Sequence, residues 1–237
     1  MIGKGKSISH GVAALEYDLA KEINGQAVAT EIARHELYGC TGAEMVQEMK
    51  PYHIDFPNVK NNCLRFEVSP SIEESATFTD ADWAELGNDF MQRMGLANHQ
   101  YIIIRHSGTE SKKEQAHLHI LANRVSLSGE LYRDNWIGKK ATEAANAIAK
   151  ERNFVQSQDI GKVNKAEIKE AMDGVLKKMQ GFDFTKFKEE LGKRGFKVRE
   201  ARASTGKLNG YYVTARSGTE YKASEIGRSE ERRVGKE

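Results

Sequence analysis

The run YIIIRH at residues 101–106 constrains the chain most, because three consecutive isoleucines need apolar company on both sides of an extended backbone. Successive side chains of a strand point to opposite faces, so such a run belongs inside a sheet that is covered on both sides. A polar stretch at 107–114 follows, and QAHLHILANRV at 115–125 then reads as the returning strand of a hairpin. Residues 1–7 and 63–69, the latter with Leu64, Phe66 and Val68 alternating, read as further strands. Cover comes from helices. Val12, Leu15, Leu19 and Ile23 set a helix over 10–23 that Asn24-Gly25 stops; Thr79-Asp80 caps one carrying Trp83, Leu86, Phe90 and Met94; an alanine-rich helix spans 139–152. Between 26 and 60 the spacing of Ile32, His35, Tyr38, Met45 and Met49 suits helical turns, and 131–136 reads as an added strand. Helices at 164–180 and 183–194 and strands at 196–201 and 210–215 follow. The expected fold is α+β: a central, mainly antiparallel β-sheet with flanking helices over 1–155, and a smaller C-terminal α/β appendage over 156–228.

With 237 residues, 39% of them apolar, the chain can bury one good core or two small ones. Its net charge of +2 hides an asymmetry: residues 1–100 carry 8 basic and 15 acidic side chains, whereas 101–237 carry 28 and 19. Only the second part suits a polyanion. No stretch approaches the roughly 20 apolar residues of a membrane span. The opening MIGKGKSISHGVAALEY is broken by lysine, serine, glycine and histidine where a secretory signal needs an apolar core, so a cytoplasmic location is expected. Cys40 and Cys63 fall in no metal or redox spacing and read as two unrelated thiols.

Chemistry concentrates at the hairpin. His117 and His119, two residues apart on a strand, project to the same side together with Leu121 and Asn123, and His106 ends the preceding strand. A lone histidine is ordinarily a satisfied surface or core imidazole. Here three of the chain's seven histidines lie within fourteen residues, and any register that sets His106 opposite 117 or 119 gathers three imidazoles on one face. Three protein ligands with positions left open is the pattern of a catalytic rather than a structural metal site. Glu110 and Glu114 in the connecting loop, together with Asn123, are the candidates to orient a ligating histidine through its other ring nitrogen. His10, His35, His53 and His99 lack such companions.

The segment IIIRHSGTESKKEQAHLHILANRV resembles the metal-binding motif of relaxases of the mobilisation-nuclease type, MobA/MobL-like members of the HUH endonuclease superfamily found on conjugative and mobilisable elements. GVAALEYDLAKE, RFEVSP and the helix ending MQRMGL are similar to the pattern around that motif, and the likeness continues to about residue 228. Two features depart from the family: the linker from His106 to His117 is unusually long, and Arg65 stands where relatives often have histidine. The resemblance implies a DNA relaxase that nicks one strand at an origin of transfer and joins it to a tyrosine as a 5′-phosphotyrosine. By the resemblance Tyr17, on the first helix, stands in the place of the family's catalytic tyrosine, with Tyr38 and Tyr101 as fallbacks. It implies a divalent metal ion (Mn or Mg, Zn also possible) on His106, His117 and His119, and single-stranded origin DNA as substrate. Accessory mobilisation proteins and a coupling protein are the implied partners. Arg124, Arg133, Lys139 and Lys140 are candidates to contact phosphates and Trp136 to stack on a base. A rolling-circle replication initiator and a non-catalytic nucleic-acid-binding module are the rival readings. The ending RSEERRVGKE resembles translated sequencing-adapter sequence, so 229–237 is expected to be non-native and the nuclease domain truncated.

Overall fold

Ile102 and Ile104 point to one face of a five-stranded sheet and Ile103 to the other, and helices cover both faces. The computed structural model describes residues 1–108, 115–202 and 208–226, which divide into two units, Met1–Ser157 and Gln158–Glu237. The first contains β1 (Ile2–Ile8), α1 (Gly11–Leu19), β2 (Glu22–Ile23), β3 (Gln26–Ala27), β4 (Ala29–His35), α2 (Gly42–Met49), β5 (Cys63–Ser69), α3 (Ile72–Ser75), α4 (Asp80–Arg93), β6 (His99–His106), β7 (His117–Ser126) and α5 (Ile137–Glu151). The sheet order is β1-β5-β7-β6-β4, and every pairing is antiparallel. The α+β architecture expected of the sequence is the one observed.

On one face Leu64, Phe66, Val68, Ile103, Leu118 and Ile120 pack beneath α4 and α5. Residue choice allows α5 to come very close. A Cβ added to Gly3 would stand 2.6 Å from the Ala145 methyl, and one added to Gly5 would stand 2.8 Å from the Phe66 ring. The Thr142 hydroxyl bonds the Gly3 carbonyl at 3.1 Å. On the other face α1 and α2 deliver Leu15, Met45, Val46 and Met49 onto Ile8, Cys63, Ile102, Ile104 and Leu121. This second core covers only part of its face; towards His119 and His117 on β7 the apolar surface gives way to imidazoles.

Three expectations are corrected. The first helix ends at Leu19, and Asn24-Gly25, with φ of 53° and 75°, forms the two-residue turn of the β2–β3 hairpin rather than a helix stop. Residues 29–35 form the edge strand β4, not helical turns: its register shifts between Glu31 and Ala33, and such a bulge destroys the two-residue alternation that would have identified it. The stretch 131–136 adds only an isolated bridge, Leu131 to Val125, before α5 begins at Ile137.

The second unit consists of α6 (Ser157–Leu176), α7 (Phe184–Lys193), β8 (Lys197–Arg202), β9 (Leu208–Thr214), β10 (Glu220–Lys222) and α8 (Ala223–Ile226), the strands forming an antiparallel sheet ordered β10-β9-β8. Its core is Ile168, Val175, Phe187, Leu191, Phe196, Val198 and Val213. No helix among the described residues is long and apolar enough to cross a membrane.

Candidate metal centre

The register of β6 on β7 sets His106 directly opposite His117, and His119 lies two residues along on the same face. Ring centroids are 5.4 Å apart for His106 and His117, 4.4 Å for His106 and His119, and 4.9 Å for His117 and His119. One nitrogen from each ring falls within 4.8 Å of the others. His106 and His117 are buried, and His119 nearly so.

The hydrogen bonds around the rings decide which nitrogens face inward. A carbonyl only accepts, so His106 Nε2 donates to the Asp18 carbonyl at 2.7 Å and leaves Nδ1 its lone pair. His117 Nδ1 donates to the Gln115 carbonyl at 3.2 Å, leaving Nε2. His117 Nε2 lies 3.1 Å from His119 Nε2. Two bare lone pairs at that distance would repel. The network closes when His119 carries its proton on Nε2, towards His117, while its Nδ1 accepts from Arg65 Nη2 at 3.4 Å.

Above the rings stands Asp18, 1% exposed, at the end of α1. Its carboxylate takes Arg65 Nε at 3.0 Å and Arg65 Nη2, and Oδ1 lies 3.8 Å from His119 Nδ1. His119 is neutral, so that last contact is no ion pair. Burial, then the positive charge of neighbours, depresses its imidazole to about 2. His106 is also lowered, chiefly by burial. Below the ordinary imidazole value of about 6.5 the unfolded chain holds protons that the folded site refuses, so stability must fall on acidification. For metal-free protein, urea denaturation at pH 5.5 against pH 7.5 should show a loss of about 1.4 kcal/mol from His119 alone. His119→Gln should remove that part. A wild-type urea midpoint that stays constant across this range would mean that the native site accepts the proton.

Asp18 and Arg65 were not singled out as a pair in the sequence. The usable signal was the Arg65 guanidinium on the strand CLRFEVS, on the face it shares with buried Cys63, since a guanidinium needs a carboxylate once buried.

Tyr17 precedes Asp18, is 56% exposed, and its hydroxyl accepts a 2.7 Å hydrogen bond from Lys21 Nζ. The fallback tyrosines are placed differently. Tyr101 is buried on the opposite face, donates to Asn88 at 2.9 Å, and burial pushes its phenol up. Tyr38 is exposed, but its bond to the Glu36 carboxylate raises its phenol as well.

Several other candidates are not brought to the histidines. Asn123, fully buried, bonds His53, Gln100 and the Met49 carbonyl and so ties the turn at Lys50–His53 to the sheet, not a ligating ring. Glu110 and Glu114 lie outside the described residues. Arg124 commits its guanidinium to the carbonyls of Asn61 and Tyr132 and to Asp134, a scaffold role. Arg133 and Lys139 are exposed near the start of α5, Lys139 at 3.7 Å from Glu143. Lys140 bonds the Arg133 carbonyl at 2.7 Å and lies over the Tyr132 ring. Trp136, 81% exposed, precedes α5 with a left-handed φ of 59°.

No curated protein matches the chain. Two solved structures of the conjugative relaxase TrwC in complex with oriT DNA, one metal-bound and one metal-free, are similar at 12% and 10% identity, each over 87% of this chain and 74% of theirs, with TM-scores of 0.39. The family model described as relaxase, MobA/VirD2-like, nuclease domain matches residues 17–154, from Tyr17 through the hairpin to the end of the first unit's helical cover. By that match, which takes in more than half of its residues, the chain belongs to the MobA/VirD2-like relaxase nuclease domain family.

Proposed function

We propose that the protein nicks one strand of DNA at an origin of transfer by transesterification, with Tyr17 as nucleophile and His106, His117 and His119 as ligands of a divalent cation. The observation that carries this is the convergence of three imidazole nitrogens within 4.8 Å beneath the helix end that bears Tyr17 and Asp18. The donor set fits a metal. Backbone carbonyls hold the outward nitrogens of His106 and His117, and moving the His119 proton from Nε2 to Nδ1 would free Nε2 for the cation. Imidazoles favour late transition metals such as Zn over Mn and Mg in affinity, whereas phosphoryl chemistry favours Mn or Mg. Such a cation supplies positive charge to the non-bridging oxygens of the scissile phosphate.

The chain's own residues then do the following. The Tyr17 oxygen bonds to phosphorus as its proton leaves to solvent; the bond from phosphorus to the 3′-oxygen breaks, and that oxygen takes a proton to become a 3′-hydroxyl. Lys21, already donating to the Tyr17 oxygen, holds the phenol in place and offers charge to it. Trp136 offers an exposed ring to an unstacked base, and Arg133, Lys139 and Lys140 lie close by in sequence for the strand's phosphates. The substrate is single-stranded origin DNA in the cytoplasm, met together with accessory mobilisation proteins and a coupling protein.

Wild-type protein with Mn and a single-stranded oligonucleotide from its element's transfer origin should give a protein–DNA adduct that survives denaturing electrophoresis. Chelator should prevent it. If no adduct forms on any transfer-origin sequence, including its own, the covalent mechanism is wrong.

A further inference from the structure

The polar surface on the histidine face does not stop at the histidines. The register sets His119 opposite Glu67 and Glu67 opposite Lys4; one step along, Leu121 faces Arg65 and Arg65 faces Lys6. Opposed residues of antiparallel strands share a face. Lys4, Lys6, Arg65, Glu67 and His119 accordingly line one cleft of about 210 Å³, which Gly5 and Phe66 complete. β1 is held there from behind, where Gly3 and Gly5 admit α5, so its alternate residues Lys4 and Lys6 stand in solvent.

The charges in the cleft are unequally satisfied. Arg65 is matched by buried Asp18. Lys4 meets Glu67 at 3.0 Å, but the two side chains are 64% and 36% exposed, and water screens so exposed a pair. Lys6 has no partner among the described residues. Lysines on an edge strand such as β1 also discourage pairing with a foreign strand, yet that task needs charge anywhere along the edge. It does not need a concavity shared with His119.

We propose that this cleft is a second phosphate site, which binds a backbone phosphate of the single-stranded DNA neighbouring the one at the histidines. The inference rests on the relaxase reading for the identity of its ligand. Lys6 and Lys4 are the cations that take the phosphate, Arg65 shapes the wall nearest the rings, and Glu67 competes with the ligand for Lys4. No bond is made or broken there. The strand is thereby led across β5 and β1 towards the sheet edge.

The test is the binding of a labelled oligothymidylate in chelator as a function of salt. Each phosphate neutralised on a single strand contributes about 0.7 to the slope of log affinity against log salt. Lys4→Gln/Lys6→Gln should make that slope shallower by about 0.7, the contribution of one phosphate, and leave calorimetric Mn binding and the melting temperature unchanged. Lys60→Gln, an exposed lysine outside the cleft, should have no effect on the slope, and Glu67→Gln should tighten binding. A double variant with the wild-type slope, or a Lys60→Gln variant with the same loss, overturns the cleft. If wild type forms the adduct and the double variant binds as wild type does, the cleft falls and the relaxase reading stands. A lost slope in a protein that never forms an adduct means the reverse.

Discussion

Tyr17→Phe should abolish the covalent protein–DNA adduct and leave the fold and strand affinity nearly untouched. The substitution removes one oxygen from a ring that is 56% exposed, and among the described residues the only hydrogen bond lost is the one from Lys21. Exposed changes of that kind usually move stability by no more than about 0.5 kcal/mol. Loss of a covalent nucleophile, by contrast, costs on the order of 10⁶ in rate in enzymes where it has been measured. Mass spectrometry of wild-type adduct should place the phosphate on Tyr17. A phosphate on Tyr38 would keep the relaxase and move the nucleophile; an undiminished adduct in Tyr17→Phe would remove Tyr17 from the chemistry.

The second large effect is expected of His117→Ala/His119→Ala. One ligand would remain, and Mn binding measured by calorimetry should vanish together with the adduct. A ligand that binds only the folded state stabilises it by about 2.7 kcal/mol at a hundredfold excess over its dissociation constant. The melting temperature of wild type should therefore rise when chelator is replaced by excess Mn, and that of the double variant should not. Asp18 and Arg65 continue to satisfy one another, so the metal-free variant should still fold. A Mn-dependent rise in the variant equal to that of wild type would place the ion elsewhere.

The hairpin was legible because its two signals are local: an isoleucine run that demands cover on both sides, and a two-residue histidine spacing that fixes a common face. α4 and α5 were legible from apolar spacing and, for α4, from the Thr79 cap, which is observed as a capping box with Asp82. β4 was not, since its bulge leaves Ile32, His35 and Tyr38 at a spacing that imitates a helix. Asn24-Gly25 stops a helix or turns a hairpin with equal ease, and only the pairing of Glu22 with Ala27 decides. The Asp18–Arg65 pair lay beyond local reading because it joins a helix end to a strand 47 positions away. Asn123 shows the converse error: it shares a strand with His117 and His119, yet its partners are His53, Gln100 and the Met49 carbonyl. Sharing a face does not make two residues neighbours when four positions of strand, about 13 Å, separate them.

His106 and His117 are brought together by strand pairing, not by the segment that connects them. Between two strands whose register is already fixed by Ile102, Ile103, Ile104, Leu118, Ile120 and Leu121, lengthening the connection costs little, only about 0.6 kcal/mol for each doubling. The ligand geometry is thus set by the strand pairing and tolerates a longer connection. Sequence can be added to that connection without moving the strands that carry the three imidazoles.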